Sequence, residues 1–198
     1  MGESEKLIKA LFAVARAKQP AVIFVDEIDS LLTQRTDGEN DATRRIKTEF
    51  LVQFDGCATS KDDRILLIGA TNRPQEIDEA ARRRFRKKLY IPLPESSARC
   101  QIMNNLLQMQ PHDLTDPQIE EIVNMTNGYS GSDMDGLIRE AALGPIRDIV
   151  DIETISAAEV RGIQKQDFIS ALTQIRASVS EKDLKLYEEF DREYGSLK

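Results

Sequence analysis

Residues 20–32, PAVIFVDEIDSLL, constrain the fold more tightly than any other stretch of the chain. Five consecutive apolar residues, Ala21 to Val25, run into Asp26 and Glu27 with no polar alternation between them. Alternation would mark a half-wet strand, whereas an unbroken apolar run predicts a buried one, as in a parallel sheet. Residues 64–72, RILLIGATN, repeat the design with a second apolar strand that ends in polar residues. A third strand is expected at residues 87–93, KKLYIPL, closed by Pro92 and Pro94. Helical stretches separate these strands, which predicts an α/β fold with a parallel sheet. In such sheets functional side chains gather at the carboxyl ends of the strands, where Asp26, Glu27 and Asn72 fall.

Apolar Leu7, Ile8, Ala10, Leu11, Val14 and Ala15 recur at helical spacing, so residues 3–18 should form an amphipathic helix that Pro20 ends. Residues 34–43 form a polar loop, with Asp41 or Thr43 as cap of the next helix. Ile46, Phe50, Leu51 and Phe54 give that helix a buried face, and Gly56 is expected to terminate it. After Pro94 the pattern is helical only, at residues 98–109, 116–125, 132–150, 165–175 and 182–194. The natural division is therefore an α/β domain over residues 1–94 and a small helical domain over residues 95–198.

A chain of 198 residues with 40% hydrophobic and 31% charged content fits a soluble globular protein with a real core. No apolar run approaches the roughly 18–20 residues of a membrane span, so no membrane partner is expected. The start, MGESEKLIKALF, carries acids and matches neither a secretory nor a mitochondrial signal. Lys6 stands where a myristoylation motif needs Ser or Thr. A net charge of −7 argues against direct nucleic-acid binding, although residues 82–88, RRRFRKK, hold six cations in seven positions. Cys57 and Cys100 fit a reducing interior and are expected to be buried and inert. No His/Cys cluster suggests zinc, and the single histidine, His112, has no assigned role.

The apolar strand followed by Asp26-Glu27 matches a Walker B pattern. Such chemistry needs an Asp for the Mg²⁺ shell and a second acid to orient and deprotonate an attacking water. A strand with solvated acids at its end gives the same letters. Asn72, in GATNRP, can hold a γ-phosphate or water through a neutral hydrogen bond, or simply cap a turn before Pro74. The arginines of IDEAARRRF suit phosphate oxygens because a planar fork binds them bidentately, and a solvated basic turn is the alternative. GYSGSDM, residues 128–134, is a good helix start, with Ser130 or Ser132 as cap and Asp133 in the first turn.

These pieces occur in one order and at familiar separations. The chain resembles the C-terminal part of an AAA ATPase of the microtubule-severing group, which holds katanin, spastin, fidgetin and the related ESCRT-disassembly ATPases. GESEKLIKALFAVARAKQPAVIFVDEIDSLL, RRIKTEFLVQFDG, ATNRPQEIDEAARRRF, GYSGSDM and AALGPIRD carry the resemblance, which covers essentially all 198 residues. KKLYIPLPESSAR, DIETISAAEVRGI and SVSEKDLKLYEEFDREYG look most like fidgetin-like proteins, then spastin. The resemblance implies a partial P-loop AAA large domain over residues 1–94 and a helical lid domain over residues 95–198, with ATP and Mg²⁺ as cofactors. It makes Asp26 the magnesium residue, Glu27 the catalytic base, Asn72 the sensor, and Arg83 and Arg84 fingers acting on the neighbouring subunit's nucleotide. Gly131 and Ser132 lie where the lid approaches adenine and ribose. Residues 40–45 match the second pore loop, where Arg44 and Arg45 face acidic tubulin tails.

The implied assembly is a homo-oligomer, a hexamer in the family, that works on microtubules in the cytoplasm or nucleus in association with the cytoskeleton. ESCRT-filament disassembly and a recombination-linked role are the alternatives within the family. A non-catalytic assembly module that only donates arginines is the alternative outside it. The family's phosphate-gripping loop, ending in Gly-Lys-Ser/Thr, is not among the 198 residues, nor are its first two strands or the aromatic of the first pore loop. The expectation is that the chain alone binds ATP weakly, does not hydrolyse it, and folds poorly without those strands.

Overall fold

A computed structural model describes residues 2–34, 41–59, 63–149 and 160–196. The chain forms two compact units, residues 1–89 with 189–198, and residues 90–188. In the first unit, α1 (Glu3–Ala17), β1 (Ala21–Val25), α2 (Ile28–Leu32), α3 (Asp41–Thr59), β2 (Ile65–Gly69), a 3-10 turn (Pro74–Glu76) and α4 (Glu79–Arg84) follow in order. The two strands pair in parallel, with Ala21 opposite Ile65 and Val25 opposite Gly69.

Period-two geometry sends Ala21, Ile23 and Val25, with Ile65 and Leu67, toward a core built with Phe12, Ile28, Leu32, Phe50 and Ala81. Phe12 and Phe50 meet edge to face at 5.7 Å. Removing either ring would cost about 3–5 kcal/mol, because both are fully buried. The opposite face is bare: Val22 and Phe24 are 64% and 62% exposed, and Leu66 and Ile68 are 56% and 41% exposed. Among the described residues the apolar runs thus form strands covered on one face rather than two.

The expected third strand does not form. Residues 87–93 are irregular, and Leu89 and Ile91 are exposed. A strand exists only beside a neighbour that completes its ladder, and among the described residues the sheet consists of β1 and β2, with residues 87–93 paired to neither. Lys88 pairs instead with the C-terminal end of the chain: Ser196 N–H donates to its carbonyl at 2.9 Å, and its own N–H donates to Ser196 Oγ at 3.0 Å. Gly56 does not end α3, which continues to Thr59. Its missing side chain makes room for Arg16, whose Nη2 would lie 3.3 Å from a Cβ there and donates to Cys57 Sγ. Cys57 is half-buried, and burial pushes its thiol up, so it stays protonated.

The second unit holds α5 (Ser96–Leu107), α6 (Asp116–Met125), α7 (Gly131–Ala142), α8 (Gly144–Arg147) and α9 (Lys165–Gln174). The last helix, α10 (Glu181–Tyr194), begins in this unit and ends in the first. Met103, Leu107, Ile122, Val123, Met134, Leu137 and Phe168 form its core. The single helix expected over residues 132–150 is two, because Pro145 supplies no N–H to continue the ladder. The close approach of the Asp167 carboxylate also requires Gly144, whose Cβ would lie 2.2 Å from Oδ1. Arg161 donates to Asp167 at 2.6 and 2.8 Å and to Asp148 at 2.9 Å, and it holds the Asp167 carboxyl below the usual range.

Candidate active site

The parallel register sets Val25 beside Gly69, so the chain leaves both strands at the same edge: Asp26-Glu27 from one, Ala70-Thr71-Asn72 from the other. The turn after β1 is tight. Glu27 adopts the left-handed conformation, φ 48° and ψ 44°, which costs a residue with a Cβ about 1–2 kcal/mol. Glu27 N–H donates to Asp26 Oδ1 at 2.9 Å, and Ser30 N–H and Oγ donate to the Glu27 carbonyl at 2.9 and 2.8 Å. Both acids are exposed. The strained turn ends β1 at once and starts α2 with the Glu27 side chain outside it.

The second strand is tied to that turn. Ala70 N–H donates to the Val25 carbonyl at 2.9 Å, and Ile28 N–H to the Ala70 carbonyl at 3.0 Å. Gly69 leaves room for Ile28 here, since a Cβ would lie 2.7 Å from Ile28 Cδ1 and 3.2 Å from its Cγ2. Beyond it, Thr71 Oγ1 donates to Asp29 Oδ1 at 2.5 Å and accepts from Arg73 N–H at 2.9 Å. Asn72 sits exposed between those two anchored residues. Sequence reasoning missed Asp29; the available signal was an acid on the inner side of an otherwise apolar turn, ending up 8% exposed.

Asp26 and Glu27 offer hard carboxylate oxygens at an open edge. Among the described residues no three His, Cys, Asp or Glu side chains cluster as a metal cage. That donor set fits Mg²⁺, which takes one or two protein carboxylates and fills its shell with water and phosphate oxygens.

The three consecutive arginines have three different surroundings. The Arg82 guanidinium carbon stacks 4.0 Å from the Tyr194 ring centroid. The Arg83 side chain is 77% exposed and, among the described residues, pairs with Glu79, one turn earlier on α4. Arg84 is bidentate to Asp55 of α3, Nε at 2.7 Å and Nη2 at 2.9 Å, and also donates to the Ala80 carbonyl at 2.9 Å. The hydrogen-bonded Asp55 carboxylate raises the guanidinium further above its ordinary value. Asp78 caps α4, accepting from Ala80 and Ala81 N–H at 2.9 and 3.3 Å.

Arg44 and Arg45 are exposed near the start of α3, around a shallow depression that Glu5 and Glu49 also line. Asn40, named with that loop, lies outside the described residues. Gly131 and Ser132 belong to the other unit and are exposed at the start of α7. Ser130, not Ser132, caps that helix, and its Oγ accepts from Asp133 N–H at 3.2 Å. The structure therefore brings together Asp26, Glu27 and Asn72. Arg83 and Arg84 stand on α4 in different surroundings.

Three family models match the chain: the ATPase family associated with various cellular activities (AAA) over residues 1–93, the AAA+ lid domain over 116–162, and the Vps4 C terminal oligomerisation domain over 148–195. The chain belongs to the AAA family. Fidgetin-like protein 1 of Xenopus laevis is 60% identical over 98% of this chain and 30% of its own length. Spastin of Bos taurus is 50% identical over 98% of this chain and 32% of its own. The chain thus spans about a third of the length of the curated relatives it matches.

Among solved structures, the FIGL-1 AAA domain superposes with a TM-score of 0.93 at 54% identity, covering 100% of this chain and 65% of that one. Its complex with ADP superposes at 0.92 with the same identity, covering 99% and 65%. A structure titled for katanin self-assembly gives 0.79 at 34% identity, covering 95% and 64%. The fold is that of an AAA domain with a parallel strand pair, followed by an AAA lid.

Proposed function

We propose that this chain carries the hydrolytic edge of an ATP-driven, ring-forming remodelling enzyme that severs microtubules. The observation that carries the reading is the parallel register, which delivers Asp26, Glu27 and Asn72 to one edge. Asp26, with Oδ1 held by the following N–H, keeps Oδ2 for the hydration shell of a divalent cation. Mg²⁺ supplies charge neutralisation on the phosphates when bound. Glu27 takes the proton of the attacking water, and the Asn72 amide orients that water by a neutral hydrogen bond. Arg83, exposed and lightly paired, reaches the nucleotide of a neighbouring subunit, while Arg84 fixes the helix that presents it.

The complex of a relative with ADP supports nucleotide binding. The Vps4-type oligomerisation match and the katanin self-assembly structure support a ring, which we take to be a hexamer. Arg44 and Arg45 then meet acidic tubulin tails, against the partial screening of Glu5 and Glu49. The Vps4-type match also favours a second reading, disassembly of ESCRT filaments.

No Gly-Lys-Ser/Thr loop occurs in the 198 residues, so in this proposal the phosphate grip comes from sequence outside them. The test measures ATP turnover by the chain alone and by the chain fused behind the preceding part of a fidgetin-like AAA domain. The fusion should hydrolyse ATP, Glu27→Gln should abolish turnover, and the chain alone should be inactive. A Glu27→Gln fusion as active as its parent refutes the site. Light-microscopy severing of microtubules against disassembly of ESCRT filaments then decides the substrate.

A further inference from the structure

We propose that Asp29 and Thr71 form a clasp that positions Asn72 against Glu27, making both of them positioning residues for hydrolysis. The inference rests on the ATPase reading above and names residues to which neither the family models nor that reading gives a part.

A carboxylate at the inner side of α2 needs an explanation. Ionised groups leave water at a cost unless hydrogen-bonded, and an apolar side chain would fill the place more cheaply. Asp29 is 8% exposed and sits between Ile28 and Leu32, which are 2% and 1% exposed. Its Oδ1 accepts the Thr71 hydroxyl at 2.5 Å. Thr71 Oγ1 in turn accepts Arg73 N–H at 2.9 Å, a side-chain turn that fixes the backbone on both sides of Asn72. The clasp thus joins the helix that begins just after Glu27 to the turn that carries Asn72.

Its geometry is local to those two strand ends. The bonds from Ala70 to Val25 and from Ile28 to Ala70 hold the strand ends themselves, and Gly69 admits Ile28 between them. Those bonds stop at Ala70. Thr71 is the next residue, and its hydroxyl carries the restraint across Asn72 to Arg73 N–H, while the Arg73 carbonyl accepts from Glu76 N–H at 3.0 Å on the far side. A water held by an acid on one strand and an amide on the next must be placed to a fraction of an ångström, and small misplacement costs rate steeply.

The experiment compares Thr71→Val, which keeps the shape and removes the hydroxyl, with Thr71→Ser, which restores it. Amide hydrogen exchange is followed at residues 70–76 in the 198-residue chain and in the fusion, and ATP kinetics are followed in the fusion. Thr71→Val should speed exchange at Arg73 by about tenfold, the loss of one hydrogen bond, while exchange in α1 and α3 stays as it was. It should lower kcat by about 10–100-fold and leave KM for ATP within about twofold. Thr71→Ser should recover both, and Asp29→Ala, which removes the acceptor of the Thr71 hydroxyl, should also lower kcat with KM held.

Unchanged exchange at Arg73 in Thr71→Val overturns the clasp. So does faster exchange with kcat unaltered, or equal loosening across the whole unit, which would make the pair ordinary packing. A parent fusion that turns over no ATP sinks the ATPase reading instead, while the exchange measurement still decides whether the clasp holds the turn.

Discussion

Replacing Arg83 and Arg84 one at a time separates a residue that reaches outward from one that holds a helix. Arg84→Ala removes two bonds to Asp55 at 2.7 and 2.9 Å and one to the Ala80 carbonyl at 2.9 Å. The side chains of this pair are 33% and 49% exposed, which discounts their bond energy toward that of a surface ion pair. With the loss of the side-chain stem, Arg84→Ala should cost about 1–2 kcal/mol. At this chain length that lowers Tm by about 2–8 °C.

Arg83→Ala removes only an exposed pair with Glu79, worth about 0.3–0.5 kcal/mol, so Tm should move by no more than about 2 °C. Turnover should show the reverse ranking in assembled rings. Arg83→Ala should lose about 10³-fold, the scale of an arginine acting on a transferring phosphoryl group from a neighbour. Mixing Arg83→Ala subunits with Glu27→Gln subunits should partly restore activity, since each supplies what the other lacks. Thermal melts and a coupled ATPase assay on the fusion read both quantities. Equal destabilisation by the two variants, or mixed rings as silent as the pure ones, would refute the division.

Three other outcomes follow from the geometry. Gly69→Ala forces a methyl to 2.7 Å from Ile28 Cδ1 and should cost about 1–3 kcal/mol; Ile28→Val removes that atom, so the double variant in urea denaturation should be less unstable than the sum. Glu27→Asn should raise stability by about 0.5–1 kcal/mol, because Asn tolerates the left-handed turn, while abolishing turnover; a destabilised Glu27→Asn would show the turn is not strained. Burial opposes ionisation of Asp133, but bonds from Ser130 and Ser178 overcome it and hold its carboxyl below the usual range, as Arg161 does for Asp167. Their stabilisation is therefore present above the ordinary carboxylate range and lost as pH falls from that range down through their lowered native values; Ser178→Ala should flatten that part of a Tm–pH curve.

Much of the fold was legible because its signals are local. The apolar stripe of α1, the runs of β1 and β2, and the bounds of α6 at Asp116 and Met125 all follow from spacing and from a Thr-Asp-Pro helix start. Gly56 misled because its reason lies some forty residues away, in the Arg16 guanidinium that needs its space. The break at Leu143 was written in Pro145, which a long apolar pattern overrode. Residues 87–93 have strand-like composition, yet pairing is a property of two segments, and the partner of Lys88 is Ser196, 108 positions on. In the site, Asp26, Glu27 and Asn72 were readable because strand ends are. Asp29 and Thr71 were not, since a hydrogen bond across 42 positions leaves no pattern in either neighbourhood.

The three arginines in the last turn of α4 carry a lesson for anyone scanning variants. Successive helical residues turn by about 100°, so three identical letters face three unlike surroundings. Position 82 asks for a cation over the Tyr194 ring, a demand lysine meets in part. Position 84 asks for a planar fork across Asp55, which lysine cannot supply. Position 83 is asked for almost nothing by its own chain. In a saturation library scored for folding alone, position 83 should tolerate nearly every residue, and any intolerance that appears only when the library is scored for function measures a demand made from outside the molecule.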